Sequence, residues 1–138
     1  MKKIYFILLI SLFLYSSSNL GVTIAQCAYE QIGKPYAVGS LGPYAFDDFG
    51  LVYYCLKKAG IYGYIYRKSQ AKQGTIIDRA ELAPGDNLYS YDKRFNLIGA
   101  LIYVGNSKVI FCDDKEVVID DIGNLNYNLH YDYRRCWS

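Results

Sequence analysis

The stretch that most constrains the fold is AFDDFGLVYYCLKKAG, residues 45–60, because it marks the start, the buried face and the end of one helix. Asp47 is a strong N-cap residue, Asp48 places a carboxylate where the helix dipole favours negative charge, and Gly60 suits a left-handed stop. Lys57 and Lys58 fall on one side of this helix. The opposite side carries apolar residues at helical spacing: Leu51, Val52, Cys55, Leu56 and Ala59. The pattern therefore predicts a central helix whose apolar side packs inward.

The segments around this helix predict the class of fold. A first helix is predicted over residues 24–32, opened by a capping box of Thr23 and Gln26 and ended by Gly33. Strict alternation from Tyr127 onward is typical of a half-buried antiparallel strand. Short extended runs between turn signals predict five strands in all: 87–91, 98–104, 109–112, 116–119 and 127–134. Helices followed by strands predict an α+β domain with helices packed on one face of an antiparallel sheet.

Residues 1–18 have the layout of a secretory signal peptide, with two lysines, an apolar run and then small residues. The run from Ile4 to Tyr15 is too short to cross a bilayer core of about 30 Å, so we expect export without a stable membrane anchor. Residues 19–138 are then expected to form a single domain. Loss of Lys2 and Lys3 leaves 13 basic residues against 13 acidic ones. Nucleic-acid binding therefore has no electrostatic support.

Several motifs carry a family resemblance. The segment QIGKPYAVGSLGPYAFDDFGLVYYCLKKAGI (31–61) resembles the signature of the NlpC and p-sixty family, papain-like cysteine peptidases that cut bacterial cell-wall peptides. The resemblance continues in RKSQAKQG (67–74), LAPGD (82–86) and ALIYVGNSKVIF (100–111). It implies a papain-like fold of the NlpC type, with the loop at 34–44 forming the wall of a substrate cleft.

The resemblance also implies that the catalytic residues are missing. The position of the family's cysteine nucleophile is occupied by Asp48, and the serine that follows it is replaced by Phe49. The catalytic histidine maps onto Gly99, and the third polar residue maps onto Phe111. Chemistry of this kind needs a thiolate, a base and a group that orients the base. The sequence therefore predicts a pseudoenzyme without catalytic residues.

The cleft wall is altered as well, because Val38 stands where the family has tryptophan and Ser40 where it has a second glycine. We expect the cleft to survive as a binding surface. The candidate binding residues are those of the loop and the helix start: Tyr36, Val38, Gly39, Asp47 and Phe49. We also expect the rings of Phe49 and Phe111 to pack together near Gly99 and to narrow the cleft.

The remaining reactive residues offer no clear replacement. Cys55 lies on the apolar side of the central helix, and Cys112 is expected to point away from the site because it neighbours Phe111 in a strand. No metal-binding motif is present, so neither a metal nor another cofactor is expected. In an exported chain, four cysteines favour disulfides, and the pairing expected is Cys27 with Cys136.

Three functions are compatible with the sequence. The first is an inactive relative of the peptidases that binds cell-wall peptide or glycan. The second is an active hydrolase that uses unconventional residues, with Asp48 and the only histidine, His130, within hydrogen-bond reach. The third is a module that binds a partner protein. A contiguous exposed patch of tyrosine and phenylalanine outside the cleft would favour the third function, since the chain has sixteen tyrosines and six phenylalanines.

Overall fold

The computed structural model describes residues 19–138, so the predicted signal peptide at 1–18 lies outside the described residues. The elements in chain order are helices α1 (Leu20–Glu30), α2 (Asp48–Lys58) and α3 (Arg67–Gln70), followed by strands β1 (Thr75–Ile77), β2 (Asn87–Tyr91), β3 (Leu97–Gly105), β4 (Lys108–Cys112), β5 (Val117–Asp121) and β6 (His130–Arg135). Two short 3-10 turns, Arg79–Glu81 and Ile122–Asn124, interrupt the strand region. No helix within 19–138 has the length and apolar character needed to span a membrane.

The strands form one antiparallel sheet in the order β1-β6-β2-β3-β4-β5. Helices α1 and α2 pack on each other and on β3 at the middle of the sheet. The predicted α+β class, with helices on one face of an antiparallel sheet, is therefore confirmed. The sheet order places β3 and the start of α2 side by side, and this is where the site is built.

The central helix has the predicted boundaries. It begins after the N-cap Asp47 and ends at Lys58. Gly60 adopts φ +77°, and the Ile61 N–H donates to the Leu56 carbonyl at 2.9 Å while the Gly60 N–H donates to Lys57 at 3.0 Å. This is the Schellman arrangement in which a left-handed residue satisfies the last carbonyls of a helix.

The first helix begins earlier than predicted, and the capping box of Thr23 and Gln26 is wrong. The N-cap is Asn19, whose side-chain oxygen accepts the Val22 N–H at 3.2 Å, so α1 covers residues 20–30. Asparagine is as strong an N-cap as serine or aspartate, and it competes successfully with the threonine four residues later. A glycine near the start of α1, Gly21, lets the helix touch the Pro84 carbonyl, where a side chain would collide.

All five predicted strands are present, and four of them have ends that differ from the prediction. The last strand starts at His130 rather than at residue 127, because residues 126–129 form a turn in which Leu129 N–H donates to the Asn126 carbonyl. Tyr127 is 89% exposed and takes no part in the sheet. Strand β1 and helix α3 are not predicted by the sequence, and they are only three and four residues long. Elements this short carry too few residues for a periodic signal.

Both faces of the sheet are apolar. One face packs against the helices through Tyr89, Ile102 and Ile110, and we call this the helix-side core. The other face carries a smaller cluster built on Leu88, Leu101, Val109. Segments near residues 82 and 122–125 pack over that second cluster. Because alternate residues of each strand point to opposite faces, the cluster to which a residue belongs shows which way it points.

Candidate functional site

Asp47 fixes the loop that precedes α2. Its Oδ1 accepts the Gly50 N–H at 2.6 Å, and its Oδ2 accepts the Gly39 N–H at 2.9 Å. The Arg67 guanidinium lies 3.6 Å from the same Oδ2, and Asp47 is only 5% exposed. A Cβ on Gly50 would collide with the Ser40 carbonyl, so only glycine lets the loop approach the helix this closely. The carboxylate therefore joins the cleft loop to the helix start.

Asp48, at the position that the resemblance assigns to the nucleophile, has a different environment. Its Oδ2 accepts the Ala100 N–H at 2.9 Å. The pairing of β3 with β4 extends only as far as Ile102, so the carboxylate supplies an acceptor at a point where β4 supplies none. Burial raises the pKa of Asp48 above its ordinary value, while the hydrogen bond from Ala100 acts in the opposite direction.

Gly99, at the position assigned to the catalytic histidine, lies directly beside Asp48. A Cβ built on Gly99 would lie 3.3 Å from Asp48 Oδ2 and 2.6 Å from Ser90 Oγ. The structure therefore brings these two positions together, but the hydroxyl of Ser90 occupies the space where a side chain would start. Sequence reasoning missed Ser90, and only its pairing with Gly99 across β2 and β3 reveals it.

A cavity of about 320 Å³ opens beside Asp48, and Ser90, Gly99, Phe111 and Cys112 contribute to its lining. The expectation that Cys112 points away from the site is wrong, because Phe111 belongs to the second cluster while Cys112 packs on the helix side. Burial raises the pKa of the Cys112 thiol to about 12, and the negative charge of Asp48 adds to that rise. A thiol that stays protonated at neutral pH is a poor nucleophile.

The predicted contact between Phe49 and Phe111 is wrong. Phe49 is 2% exposed in the helix-side core, where its ring stacks on Tyr89 at 6.3 Å between centroids. The Arg67 guanidinium lies 4.7 Å from the Phe49 ring centroid. Phe111 belongs to the cluster on the opposite face of the sheet. The rings therefore do not close the cleft together.

The candidate binding residues divide into surface and interior positions. Val38 is 79% exposed, Gly39 is also exposed with φ +76°, and Tyr36 is half-buried. These three lie on the loop before α2 and can contact a ligand. Asp47 and Phe49 lie in the protein interior, so they can only shape the site from below.

His130 lies elsewhere on the sheet. Its Nε2 is 3.1 Å from Asp132 Oδ1, and its ring lies 6.1 Å from the rings of Tyr91 and Phe95. The side chain is 57% exposed. Among residues 19–138, no hydrogen bond or ion pair joins His130 to Asp48, whose Oδ2 bonds to Ala100 instead. The structure therefore gives no support to a dyad of these two residues.

The cysteines are free thiols, and the expected pairing of Cys27 with Cys136 is wrong. The Cys27 thiol of α1 lies near the Cys55 thiol of α2, and the interaction with Cys55 lowers the pKa of the Cys27 thiol. Cys136 lies instead beside Asn87 and the Gln73 carbonyl, at 3.8 and 3.7 Å. Burial raises the pKa of the Cys55 thiol. Within the described part of the chain, no group of three or more His, Cys, Asp or Glu side chains could hold a metal ion.

A buried glutamine supports the helix start. Gln70 is fully buried, and its Nε2 donates to the carbonyls of Phe49 at 2.9 Å and Tyr64 at 3.1 Å. Its Oε1 accepts the Tyr89 hydroxyl at 3.1 Å. Gln70 is not among the predicted site residues, and the family resemblance includes it only as part of the segment at 67–74. Its burial and its contacts with three segments become visible only in the structure.

Comparison with known proteins gives consistent results. The sequence profile of the NlpC/P60 family matches residues 33–135. A protein named "Probable endopeptidase p60" from Listeria grayi is 31% identical over 108 residues, which cover 78% of this chain and 20% of that protein. A probable endopeptidase of Mycobacterium tuberculosis is 30% identical over 112 residues, covering 81% of this chain and 28% of the relative. The chain thus spans less than a third of the length of these relatives.

Solved structures share the fold. NlpC1 from Trichomonas vaginalis has a TM-score of 0.81 at 23% identity, covering 88% of this chain and 46% of that chain. RipD from Mycobacterium tuberculosis, described as a non-catalytic NlpC/p60 domain protein adapted to peptidoglycan binding, has a TM-score of 0.72 at 18% identity. That match covers 87% of this chain and 99% of RipD.

Proposed function

The chain belongs to the NlpC/P60 family, and from this premise we propose that it is an exported, non-catalytic member that binds cell-wall peptide in the cleft beside Asp48. One observation carries the proposal. The position assigned to the nucleophile holds a carboxylate whose Oδ2 accepts the Ala100 N–H at 2.9 Å. A carboxylate that accepts this N–H stabilises the backbone of β3 at Ala100, and it cannot supply a thiolate.

The surroundings of Asp48 support the loss of catalysis. Neither Gly99 nor Phe111 carries a group that can accept a proton from a nucleophile. The one thiol that lines the cavity, Cys112, has its pKa raised to about 12. Acyl transfer of the family's kind needs an activated nucleophile together with a base that generates it, and the thiol that lines this cavity stays protonated.

The cleft itself supports binding. The cavity of about 320 Å³ has the size of a small ligand pocket, and Asp48 and Asp120 both contribute carboxylates to it. The pKa of Asp120 is held below its ordinary value by hydrogen bonds from Asn124 and the Asp121 N–H. The group that best matches this cavity is therefore an amine, such as those on the diamino acids of cell-wall peptides. The fold it shares with RipD is consistent with a binding role.

The test is co-sedimentation with insoluble peptidoglycan. We expect the protein to appear in the pellet and Asp120→Asn to reduce the bound fraction several-fold, because this change removes a carboxylate that lines the cavity and would attract the amine. The matched control is Asp78→Asn, the same change at an exposed aspartate that follows β1 and does not line this cavity. Failure of the unaltered protein to sediment, or equal losses in both variants, would reject binding at this cleft.

A further inference from the structure

A second and larger cavity lies between α3 and the turn that joins β2 to β3. Its volume is about 870 Å³, and it shares no lining residue with the cavity beside Asp48. We call it the basic groove and define it by six of its lining residues: Ile65, Tyr66, Lys68, Lys72, Phe95 and Leu97. This volume lies near the upper end of the range for ligand-binding clefts.

The apolar residues of the basic groove are exposed. Ile65 is 59% exposed, Tyr66 is 66% exposed and Phe95 is 74% exposed. Just before Ile65 in the chain, the rings of Tyr62 and Tyr64 form an edge-to-face pair with centroids 5.9 Å apart. The exposed apolar residues Ile65, Tyr66 and Phe95 line one groove that shares no lining residue with the cavity beside Asp48, and exposed apolar patches with a polar rim mark interaction surfaces.

The backbone holds Phe95 in this exposed position. Phe95 has φ +62°, a left-handed conformation that is uncommon for an aromatic residue. Asp92 locks the turn, because its Oδ1 accepts the N–H groups of Arg94 and Asn96 at 2.9 Å each. The Phe95 ring contacts the His130 ring at 6.1 Å between centroids but remains 74% exposed, and residues kept in an unfavourable backbone conformation are often functional.

The charge of the groove has one sign. Lys68 and Lys72 are exposed and form no ion pair within the part of the chain that the structure describes. No acidic side chain lines the groove. The nearest carboxylate along the chain, Asp92, is already engaged by its own turn. The complementary occupant is therefore anionic and also apolar.

We propose that the basic groove docks an acidic segment of a partner protein, with bulky apolar side chains inserted between α3 and Phe95. A cell-wall peptide matches the groove poorly, because its alanine side chains cannot fill a volume of about 870 Å³ lined by Ile65, Tyr66 and Phe95. Residues 1–18 of this chain also match poorly, since they contain Lys2 and Lys3 and no acidic residue. This inference does not depend on the function proposed for the cleft.

The test measures fluorescence anisotropy of a labelled peptide of about 16 residues that alternates glutamate pairs with leucine and phenylalanine anchors. We expect saturable binding that weakens as salt rises from about 50 to 300 mM. Two control peptides, one with lysine in place of glutamate and one with alanine in place of the anchors, are expected not to bind. Equal binding of the alanine peptide contradicts the apolar part of the proposal, and equal binding of the lysine peptide contradicts the charge part.

Variants of the protein locate the binding. The double change Lys68→Gln and Lys72→Gln is expected to weaken binding by about tenfold. The matched control is Lys57→Gln with Lys115→Gln, which removes two exposed charges outside the groove.

Phe95→Gly separates docking from structure. Glycine favours φ +62°, so the variant is expected to unfold at an equal or higher temperature while losing most of its peptide binding. No binding of the acidic peptide, equal effects of the groove and control variants, or self-association of the protein through this face would each overturn the proposal.

Discussion

Two adjacent carboxylates at the start of α2 have opposite roles. Asp47 is 5% exposed and accepts two backbone N–H groups, from Gly39 and Gly50, with Arg67 nearby. Asp48 is half-buried and accepts one, from Ala100, and its burial raises its pKa. Both lie in the field of the same helix dipole, so the dipole alone does not explain the difference.

These contacts indicate that a substitution of Asp47 disturbs the structure more than a substitution of Asp48. Asp47 connects the loop before α2, the helix start and Arg67 of α3, so its loss would leave the N–H groups of Gly39 and Gly50 without this acceptor. Asp48 accepts one backbone N–H at a point where β3 has no partner in β4. A carboxylate that joins several groups therefore leaves less room for change than one that satisfies a single N–H.

The largest expected effect is on Asp47. Asp47→Ala removes the N-cap and leaves the N–H groups of Gly39 and Gly50 unpaired, so we expect a loss of about 3 kcal/mol in the free energy of unfolding. Asp48→Ala removes one hydrogen bond and is expected to cost about 1 kcal/mol. Urea denaturation of both variants measures the difference. Equal losses would show that the two carboxylates have the same structural role.

The second effect concerns the support beneath the helix start. Gln70→Leu keeps a similar side-chain volume but removes the hydrogen bonds to the carbonyls of Phe49 and Tyr64 and to the hydroxyl of Tyr89. We expect the free energy of unfolding to fall by about 2 kcal/mol. Gln73→Leu is the control, because Gln73 makes its side-chain bond to Tyr62 at the surface. An unchanged free energy of unfolding in Gln70→Leu would mean that the hydrogen bonds of the buried amide do not stabilise the fold.

The smallest effect is a dependence on pH. Because burial raises the pKa of Asp48, the folded state binds this proton more tightly than the unfolded state does. Between the ordinary pKa and the raised one, increasing pH therefore lowers the stability contributed by this group. Asp48→Asn is expected to raise the melting temperature slightly at neutral pH, with a gain that shrinks as the carboxyl becomes protonated. A gain that grows at low pH would show that the pKa of Asp48 is depressed.

The sequence predicted the central helix and the strand at residues 87–91 because each has a strong local signal. Asp47 and Gly60 mark the ends of the helix chemically, so no tertiary information was needed. The start of α1 was missed because Asn19 and Thr23 are both good caps, and only the contacts of Gly21 with the segment at 84–85 show where the helix lies.

Two of the predicted site positions are neighbours in space, but the packing around them differs from the prediction. The residues assigned to the nucleophile and the base, Asp48 and Gly99, are neighbours in space. The directions of Phe111 and Cys112 were reversed, because a strand pattern gives alternation but does not say which face meets the helices. Ser90 could not be found from its own segment, since its importance comes from a cross-strand contact.

The structure also changes what restoration of activity would require. Asp48→Cys supplies a thiol without an imidazole. In Gly99→His the new Cβ would collide with Ser90 Oγ, because the two atoms would lie only 2.6 Å apart. We therefore expect no activity from Asp48→Cys alone. The combination of Asp48→Cys, Gly99→His and Phe111→His needs Ser90→Ala as well, because the Ser90 Cβ lies 4.0 Å from the new Cβ and leaves room for it.

Binding without cleavage is tested most directly by measuring the release of new amine groups from muropeptides incubated with the purified protein. An active family enzyme that is measured in parallel provides the positive control. We expect no release above the rate without protein, and no change on addition of thiol reagents. Sustained release that is lost in Asp48→Asn or in His130→Gln would contradict it and would show that this site still performs catalysis.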